Sequence, residues 1–250
     1  MRIRSILAPN PGPFTLDGTR TYLLGDDAVL DPGPEIASHI EAIWSAMPAL
    51  RTILITHRHA DHAPAAIPLK AATGASIVAP HGVLDDDVVD QRVSGGEVLT
   101  VAGEPLEVIA TPGHTNEHVC YLTADGELFT GDTVLGAGTT AIFPPDGSMG
   151  DYLRSLQTLR EKQPVRIHPA HGPDREHAVA LIDEYIAHRL ERERQVLAAI
   201  AEGVPSIPAM RARIYPDLDP RLHPAAEIQL TAHLIKLVEE GRADEALLAK

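Results

Sequence analysis

The strongest constraint in the chain is the run Thr56-His57-Arg58-His59-Ala60-Asp61-His62, which follows directly on the apolar stretch 52–55. Three imidazoles and a carboxylate within six residues repel one another if the rings are protonated and serve little purpose if merely solvated. Neutral imidazole and carboxylate oxygen are instead the donors that a borderline cation such as Zn²⁺ prefers. A turn at a strand end aims His57 and His59 at one point. Asp61 and His62 then fall at the start of the following helix, displaced toward a second point. The plain alternative is a His-rich surface loop or a purely structural site.

Three later features strengthen the metal reading. Thr111-Pro112-Gly113-His114-Thr115 follows the apolar stretch 106–110, Gly131-Asp132-Thr133 follows 128–130, and Pro169-Ala170-His171-Gly172-Pro173 follows 165–167. Each potential ligand stands at a strand exit beside a small residue that lets backbone crowd in. Singly, each is an ordinary turn residue; four such exits on one chain are hard to attribute to chance. Short apolar runs at 21–24, 28–30, 52–56, 76–79, 106–110, 118–122 and 128–130 read as strands buried on at least one face. Helices are expected at 35–47 with Pro34 at its first position, at 63–73, and at 151–162 with Asp151 as N-cap. Ser94-Gly95-Gly96 reads as a turn. Strands in two batches with scattered helices predict two helix-covered sheets rather than a regular βαβ series.

After Pro173 the pattern turns helical, with amphipathic runs at about 176–202 and 223–240 broken by Gly203-Val204-Pro205. The expected domains are 1–173 and a helical unit, 174–250. The 13 histidines stand against only 3 Phe and 1 Trp, a further hint of metal chemistry. Cys120 is the only cysteine, so neither an intramolecular disulfide nor a thiolate zinc cluster can form, and a reducing compartment is the simplest home. The opening residues lack the apolar core of a secretory signal, and no stretch approaches the roughly 18 apolar residues of a membrane span. A soluble, cytoplasmic protein is expected. The net charge of −14 disfavours indiscriminate nucleic-acid binding.

These residues resemble the metallo-β-lactamase superfamily of dinuclear metallohydrolases over roughly residues 3–173. The resemblance implies an α+β fold, an αββα sandwich with its site along one edge of the two sheets. It casts His57, His59 and His114 as ligands of a first metal, Asp61, His62 and His171 as ligands of a second, and Asp132 as the bridging carboxylate. Two Zn²⁺ are implied, since His59 stands where the flavo-diiron branch has an acidic residue; mixed zinc/iron or manganese loading stays open. A narrower similarity, to the mitochondrial metallo-β-lactamase-like endoribonuclease and its bacterial relatives, rests on 10–19, 131–140, Tyr185-Ile186-Ala187-His188-Arg189 with Glu193, and His233-Leu234-Ile235-Lys236-Leu237 with Gly241-Arg242. It implies a C-terminal helical domain of winged-helix type. Arg20 departs from that family, which usually has Asn there; an anionic substrate or a surface salt bridge are its two readings.

The expected chemistry is hydrolysis by a hydroxide shared between two cations, whose parent water is acidified from a pKa of roughly 16 to about 7. Asp61 would orient that nucleophile, and His168, three residues before His171, is a candidate proton donor. The electrophile is not encoded in the ligands. Family resemblance leans toward phosphodiesters of single-stranded RNA, for which Arg189, Arg192 and Arg194 offer a local basic stripe. Yet residues 174–250 carry 10 basic and 14 acidic groups, where a basic groove would be expected. The alternative is a small carbonyl substrate: a thioester, a lactone or a β-lactam. A binding module that lost its chemistry is the least favoured reading, because all seven ligand positions are filled. Cys120 reads as a core residue, His118 as core or as support for a ligand, and Thr115 and Asn116 as candidate supports for His114. Thr139 and Thr140 read as loop residues that could border substrate. Partners and oligomeric state are otherwise open.

Overall fold

A computed structural model describes residues 1–248. The first batch of strands is β1 (Ile3–Leu7), β2 (Arg20–Leu24), β3 (Ala28–Leu30), β4 (Thr52–Leu54), β5 (Ser76–Pro80) and β6 (Gln91–Val93), joined in that order into one sheet. Helix α1 (Ala37–Ala46) connects β3 to β4, and α2 (Ala66–Thr73) connects β4 to β5. Both connections join parallel neighbours, which is why they need a helical crossover rather than a hairpin. The second sheet runs β12-β11-β10-β9-β8-β7, from β7 (Val98–Val101), β8 (Glu104–Ala110), β9 (Val119–Thr123), β10 (Glu127–Gly131), β11 (Arg166–Pro169) and β12 (Arg175–Glu176). Helix α3 (Met149–Glu161) crosses between β10 and β11, again a parallel pair.

The period-two alternation of strand side chains sorts the apolar residues into three layers. Tyr22, Leu24, Leu30, Leu54 and Val78 meet Leu106, Val108, Tyr121 and Phe129 between the sheets. Leu23, Val29, Ile53 and Ile77, one residue out of step, face Ile43, Met47 and Leu69 of α1 and α2. On the far face Cys120, Leu122, Leu128 and Ile167 lie under Tyr152, Leu156 and Leu159 of α3. The expected αββα sandwich is the observed one, and Cys120 is a buried core thiol whose pKa burial pushes up to about 12.

The C-terminal part is helical: α4 (Ala178–Ala201), α5 (Ile207–Ile214) and α6 (His223–Glu239). The division expected at residue 174 falls inside a shared core. Leu181, Ile182 and Tyr185 of α4 pack with α3 and the second sheet, whereas Val196 and Ala199, further along the same helix, pack with Met210, Leu230 and Leu237. Two helix starts differ from expectation. Helix α1 begins after Ile36 rather than at Pro34, and α3 is capped by Ser148, whose hydroxyl accepts from the Asp151 N–H. The short strands β1, β6, β7 and β12 and helix α5 lie outside the sequence-based expectations. No helix among the described residues is long and apolar enough to cross a membrane.

Candidate metal centre

The site lies where β4, β8, β10 and β11 end together. At the end of β4 the chain turns through 59–63, where the N–H groups of His62 and Ala63 both bond the His59 carbonyl. Asp61 and His62 therefore sit in this turn, ahead of α2 rather than in its first turn. Two close approaches let the strand exits converge. Gly131 has φ +48°, and a Cβ there would stand 2.7 Å from both His118 Nε2 and Thr56 Oγ1. Gly113 has φ +137° and would meet the Tyr152 backbone at 2.4 Å. Only a residue without Cβ fits either place.

Two groups of donors result: His57, His59, His114 and Asp132, and beside them Asp61, His62 and His171, the donor atoms of each group lying within 4.8 Å of one another. His59 Nδ1 is 3.0 Å from His57 Nε2 and 3.1 Å from His114 Nε2, so three ring nitrogens face one point. His62 Nε2 and His171 Nε2 stand 3.3 and 3.2 Å from Asp61 Oδ2. Asp132 faces both groups, with Oδ2 3.4 Å from His114 Nε2 and Oδ1 3.3 Å from His171 Nε2.

The nitrogens turned away from these points are held by the protein. His62 Nδ1 lies 2.9 Å from Asp31 Oδ2, His114 Nδ1 2.8 Å from the Ala141 carbonyl, and His171 Nδ1 3.2 Å from the Gly18 carbonyl. Carbonyls and carboxylates accept only, so each of these rings donates from Nδ1 and, in its neutral form, presents a bare Nε2. His57 Nδ1 is 3.0 Å from Thr56 Oγ1, whose hydroxyl donates to Asp31 Oδ2 at 2.8 Å; the ring must therefore donate from Nδ1 as well. Asp61 Oδ2 accepts from Thr19 Oγ1 at 3.1 Å. Meanwhile His62 Nε2 and Asp132 Oδ1 are buried without a hydrogen-bond partner. Buried polar atoms are normally satisfied, so orphaned lone pairs among bare imidazole nitrogens fit divalent metal ions.

The electrostatics divide the rings: His57 and His59 favour the neutral form, whereas the carboxylates around His62 and His171 favour the protonated ring, a positive charge whose place a divalent ion would take. Burial, then the neighbouring imidazoles, lowers the His57 pKa, and burial followed by His114 and His62 lowers that of His59. At His62 burial works downward, but Asp61, Asp132 and Asp31 outweigh it and raise the pKa. His171 is raised to about 9 against burial by Asp132 and Asp61. Both carboxyls are held below the usual range, burial opposing, chiefly by His62 and His171.

One site expectation is corrected. His168 does not reach this cleft. Its ring is buried on β11, stacked 4.9 Å from Phe129, with Nε2 2.6 Å from Glu127 Oε2 and Nδ1 3.0 Å from Asp174 Oδ2. Three residues along a strand is an odd step, so His168 and His171 cannot share a face by strand geometry, and the turn at Ala170 carries only His171 to the donors. His118 supports the site: stacked 4.9 Å from His57, it accepts from the Asp132 N–H at 3.2 Å. Thr115 is buried and Asn116 exposed; neither is among the side chains bonding a donor ring. Arg20 donates to the Gly172 carbonyl and pairs with Asp17, a structural role. Asp31 is a site residue that lies outside the sequence-based expectations. Its signal is present, since Asp31-Pro32-Gly33 follows β3 as the other donors follow their strands.

Two stacked sheets with a His/Asp cluster along one edge define a metallohydrolase architecture. The metallo-beta-lactamase superfamily model matches residues 16–171, and the beta-lactamase associated winged helix domain matches 206–247. The chain belongs to the metallo-beta-lactamase superfamily and is a hydrolase of that class with a candidate metal site. A beta-lactamase-like protein 2 homolog of Caenorhabditis elegans is 35% identical over 80% of this chain and 71% of its own length. An atrochrysone carboxyl ACP thioesterase of Aspergillus fumigatus is 32% identical over 80% of this chain and 65% of its own. Among solved structures, a metallo-beta-lactamase family protein of Thermus thermophilus superposes with a TM-score of 0.76 at 21% identity, covering 96% of this chain and 94% of that one. That likeness concerns the fold.

Proposed function

We propose that the chain is a two-zinc hydrolase of small apolar carbonyl compounds, thioesters foremost, working in the cytoplasm. The carrying observation is the cleft above the donors, a cavity of about 630 Å³. His59, Asp61, His114, Asp132 and His171 form its floor and Phe14, Leu16, Leu135, Phe143 and Leu222 its walls; among the described residues no lysine or arginine lines it. Such a pocket suits a small apolar ligand held over a few polar groups. Zinc is favoured among the metals that imidazole and carboxylate donors suit by His59 standing in place of an acidic donor. When bound, a pair of such ions acidifies a shared water and polarises the electrophile.

The chain's own residues supply the rest. Asp61, held by Thr19 and partly open to the cleft, accepts a hydrogen bond from the attacking water and sets its direction. The apolar walls exclude bulk water and position the acyl group. With His168 turned away, the described residues lining the cleft offer no acid outside the donor set. A leaving thiol, with a pKa of roughly 8.5, departs as the thiolate without one, whereas a ribose oxygen needs protonation. The thioesterase name of one relative is in keeping with this.

Cleavage of single-stranded RNA has weaker support. Of its expected basic stripe, Arg189 is buried, Arg192 lies 4.0 Å over the Tyr215 ring, and Arg194 pairs with Glu191. The test is turnover of thioester, lactone, chromogenic lactam and single-stranded RNA substrates by the zinc-loaded chain. Thioesters with apolar acyl groups are expected to react fastest, with little dependence on salt. Salt-sensitive RNA cleavage outpacing every carbonyl substrate would sink the proposal.

A further inference from the structure

The stretch between β10 and α3, residues 132–148, contains no helix or strand, yet it delivers a donor residue, Asp132, and the Ala141 carbonyl that faces His114 Nδ1 at 2.8 Å. A loop without its own backbone ladder must be held by outside partners. Its two ends are held by the sheets and α3, through His171, Arg175, Tyr152 and Gly113, and its middle by the C-terminal helices. On α4, Tyr185 and Arg189 are four residues apart and so share a face. The Tyr185 hydroxyl accepts from the Leu135 N–H at 3.1 Å and donates to the Gly138 carbonyl at 3.2 Å. Arg189 Nη2 donates to Thr139 Oγ1 at 2.6 Å and to the Thr140 carbonyl at 2.5 Å. On α6, Gln229 Nε2 donates to the Ile142 carbonyl at 2.9 Å, while its Oε1 accepts from Arg189 Nη1 at 3.3 Å.

The carbonyls on either side of Ala141 are thus clamped by two mutually bonded side chains. Arg189 is also unusual in itself. It is only 2% exposed, and among the described residues no carboxylate pairs with it; its guanidinium instead lies 5.3 Å from the centre of the Tyr152 ring. Burying a cation without a counter-ion is unfavourable, so general stability does not account for it. What it secures is the Thr140 carbonyl directly and, through Gln229, the Ile142 carbonyl, the peptide groups that flank the Ala141 carbonyl.

We infer that Arg189 and Gln229 are positioning residues for the first donor group, acting through the Ala141 carbonyl on His114. The inference rests on the reading of His57, His59, His114 and Asp132 as one half of a two-metal site. By this account the C-terminal helices tune metal affinity at one site from behind the cleft wall, without touching metal or substrate. Groups that orient a ligand imidazole typically contribute 10- to 100-fold to metal affinity.

The experiment is competition of the full-length chain with a chromophoric chelator for zinc, together with the visible spectrum of the cobalt-substituted protein. Arg189→Ala and Gln229→Ala are expected to weaken one of two zinc ions by about 10-fold or more, to alter the cobalt spectrum, and to leave the second ion unchanged. Arg189→Lys keeps a donor toward the Thr140 carbonyl and should recover part of the loss. Arg192→Gln removes a charge from the next turn of α4, on the Tyr215 ring, and should change neither reading. Folded Arg189→Ala protein that holds both ions with wild-type affinity and spectrum overturns the inference; should that variant fail to fold, Gln229→Ala decides by the same criterion. Wild-type protein that takes up no zinc overturns the two-metal reading and this inference together, whereas two ions bound equally by wild type and variants overturn this inference alone.

Discussion

Asp31→Asn probes how proton order is set in the metal site. Asp31 is fully buried and makes three bonds: Oδ1 accepts from the Thr56 N–H at 2.8 Å, and Oδ2 takes both the Thr56 hydroxyl at 2.8 Å and His62 Nδ1 at 2.9 Å. In the asparagine variant the carbonyl keeps the Thr56 N–H, and the amide NH₂ takes the place of Oδ2. An acceptor becomes a donor. His62 can then meet it only with a bare Nδ1, which moves its proton to Nε2, the atom turned toward Asp61 and Asp132. The Thr56 hydroxyl must likewise turn, and the bond that fixes the His57 tautomer is lost. Two hydrogen bonds to a charged acceptor, at about 1.5–3 kcal/mol each, give way to bonds with a neutral amide at about 0.5–1.5 kcal/mol each, so the metal-free chain should lose roughly 2–3 kcal/mol. Both donor groups lose one correctly protonated ring, and zinc affinity should fall at both sites by about 10- to 100-fold, or roughly 1.4–2.7 kcal/mol per ion. Urea unfolding of chelator-treated protein measures the first effect, and competition with a chromophoric chelator the second. If D31N binds two zinc ions within about twofold of wild type, the reasoning is wrong.

Three further outcomes are expected. His168→Gln should cost about 1–3 kcal/mol of stability by leaving Glu127 and Asp174 without their shared partner, while kcat and its pH profile stay at wild-type values; a hundredfold fall in kcat with an intact fold would restore His168 to the chemistry. Burial, reinforced by Arg189, Arg192 and Lys236, pushes His233 down to about 3. The unfolded chain then takes up a proton near pH 6.5 that the folded one refuses, so stability falls between about pH 6.5 and 3 by roughly 4–5 kcal/mol. His233→Leu should flatten that part of the stability profile, and parallel wild-type and variant curves would refute the assignment. Phe14, edge-on to Phe143 at 5.9 Å, is exposed at the cleft mouth; Phe14→Ala should raise KM for apolar acyl thioesters by about 5- to 10-fold with kcat nearly unchanged, as expected for roughly 1 kcal/mol of uniform binding.

Much of the donor set is legible in the chain because each member occupies the same local niche. His57, His114, Asp132 and His171 each follow an apolar run, and the last three also adjoin a glycine, so strand ends are recognisable from such punctuation. Asp31 obeys the same rule, but a lone Asp-Pro-Gly reads equally well as a turn. His168 misleads for the opposite reason: proximity to His171 along the chain says nothing about which way a ring points once Ala170 turns. The short strands β1 and β6 are invisible in the pattern because edge strands are half exposed and carry charged residues such as Arg4 and Arg92 that blur the alternation, whereas β7, an uncharged edge strand, is simply short and largely exposed.

Spacing and residue type alone settle the local chemistry of this protein: metal-seeking donors at strand exits, two helix-covered sheets, one thiol with no partner. These are properties of neighbours in sequence, governed by side-chain periodicity and turn sterics. Three other matters were decided by folding. The outward ring nitrogens meet Asp31, Gly18 and Ala141, residues between 27 and 153 positions away; the cleft walls are apolar rather than basic; and the arginines of α4 are spent on Tyr215, Glu191 and the loop behind His114. Each depends on contacts between segments far apart in the chain, which no local pattern encodes and which close packing of the four layers fixes together.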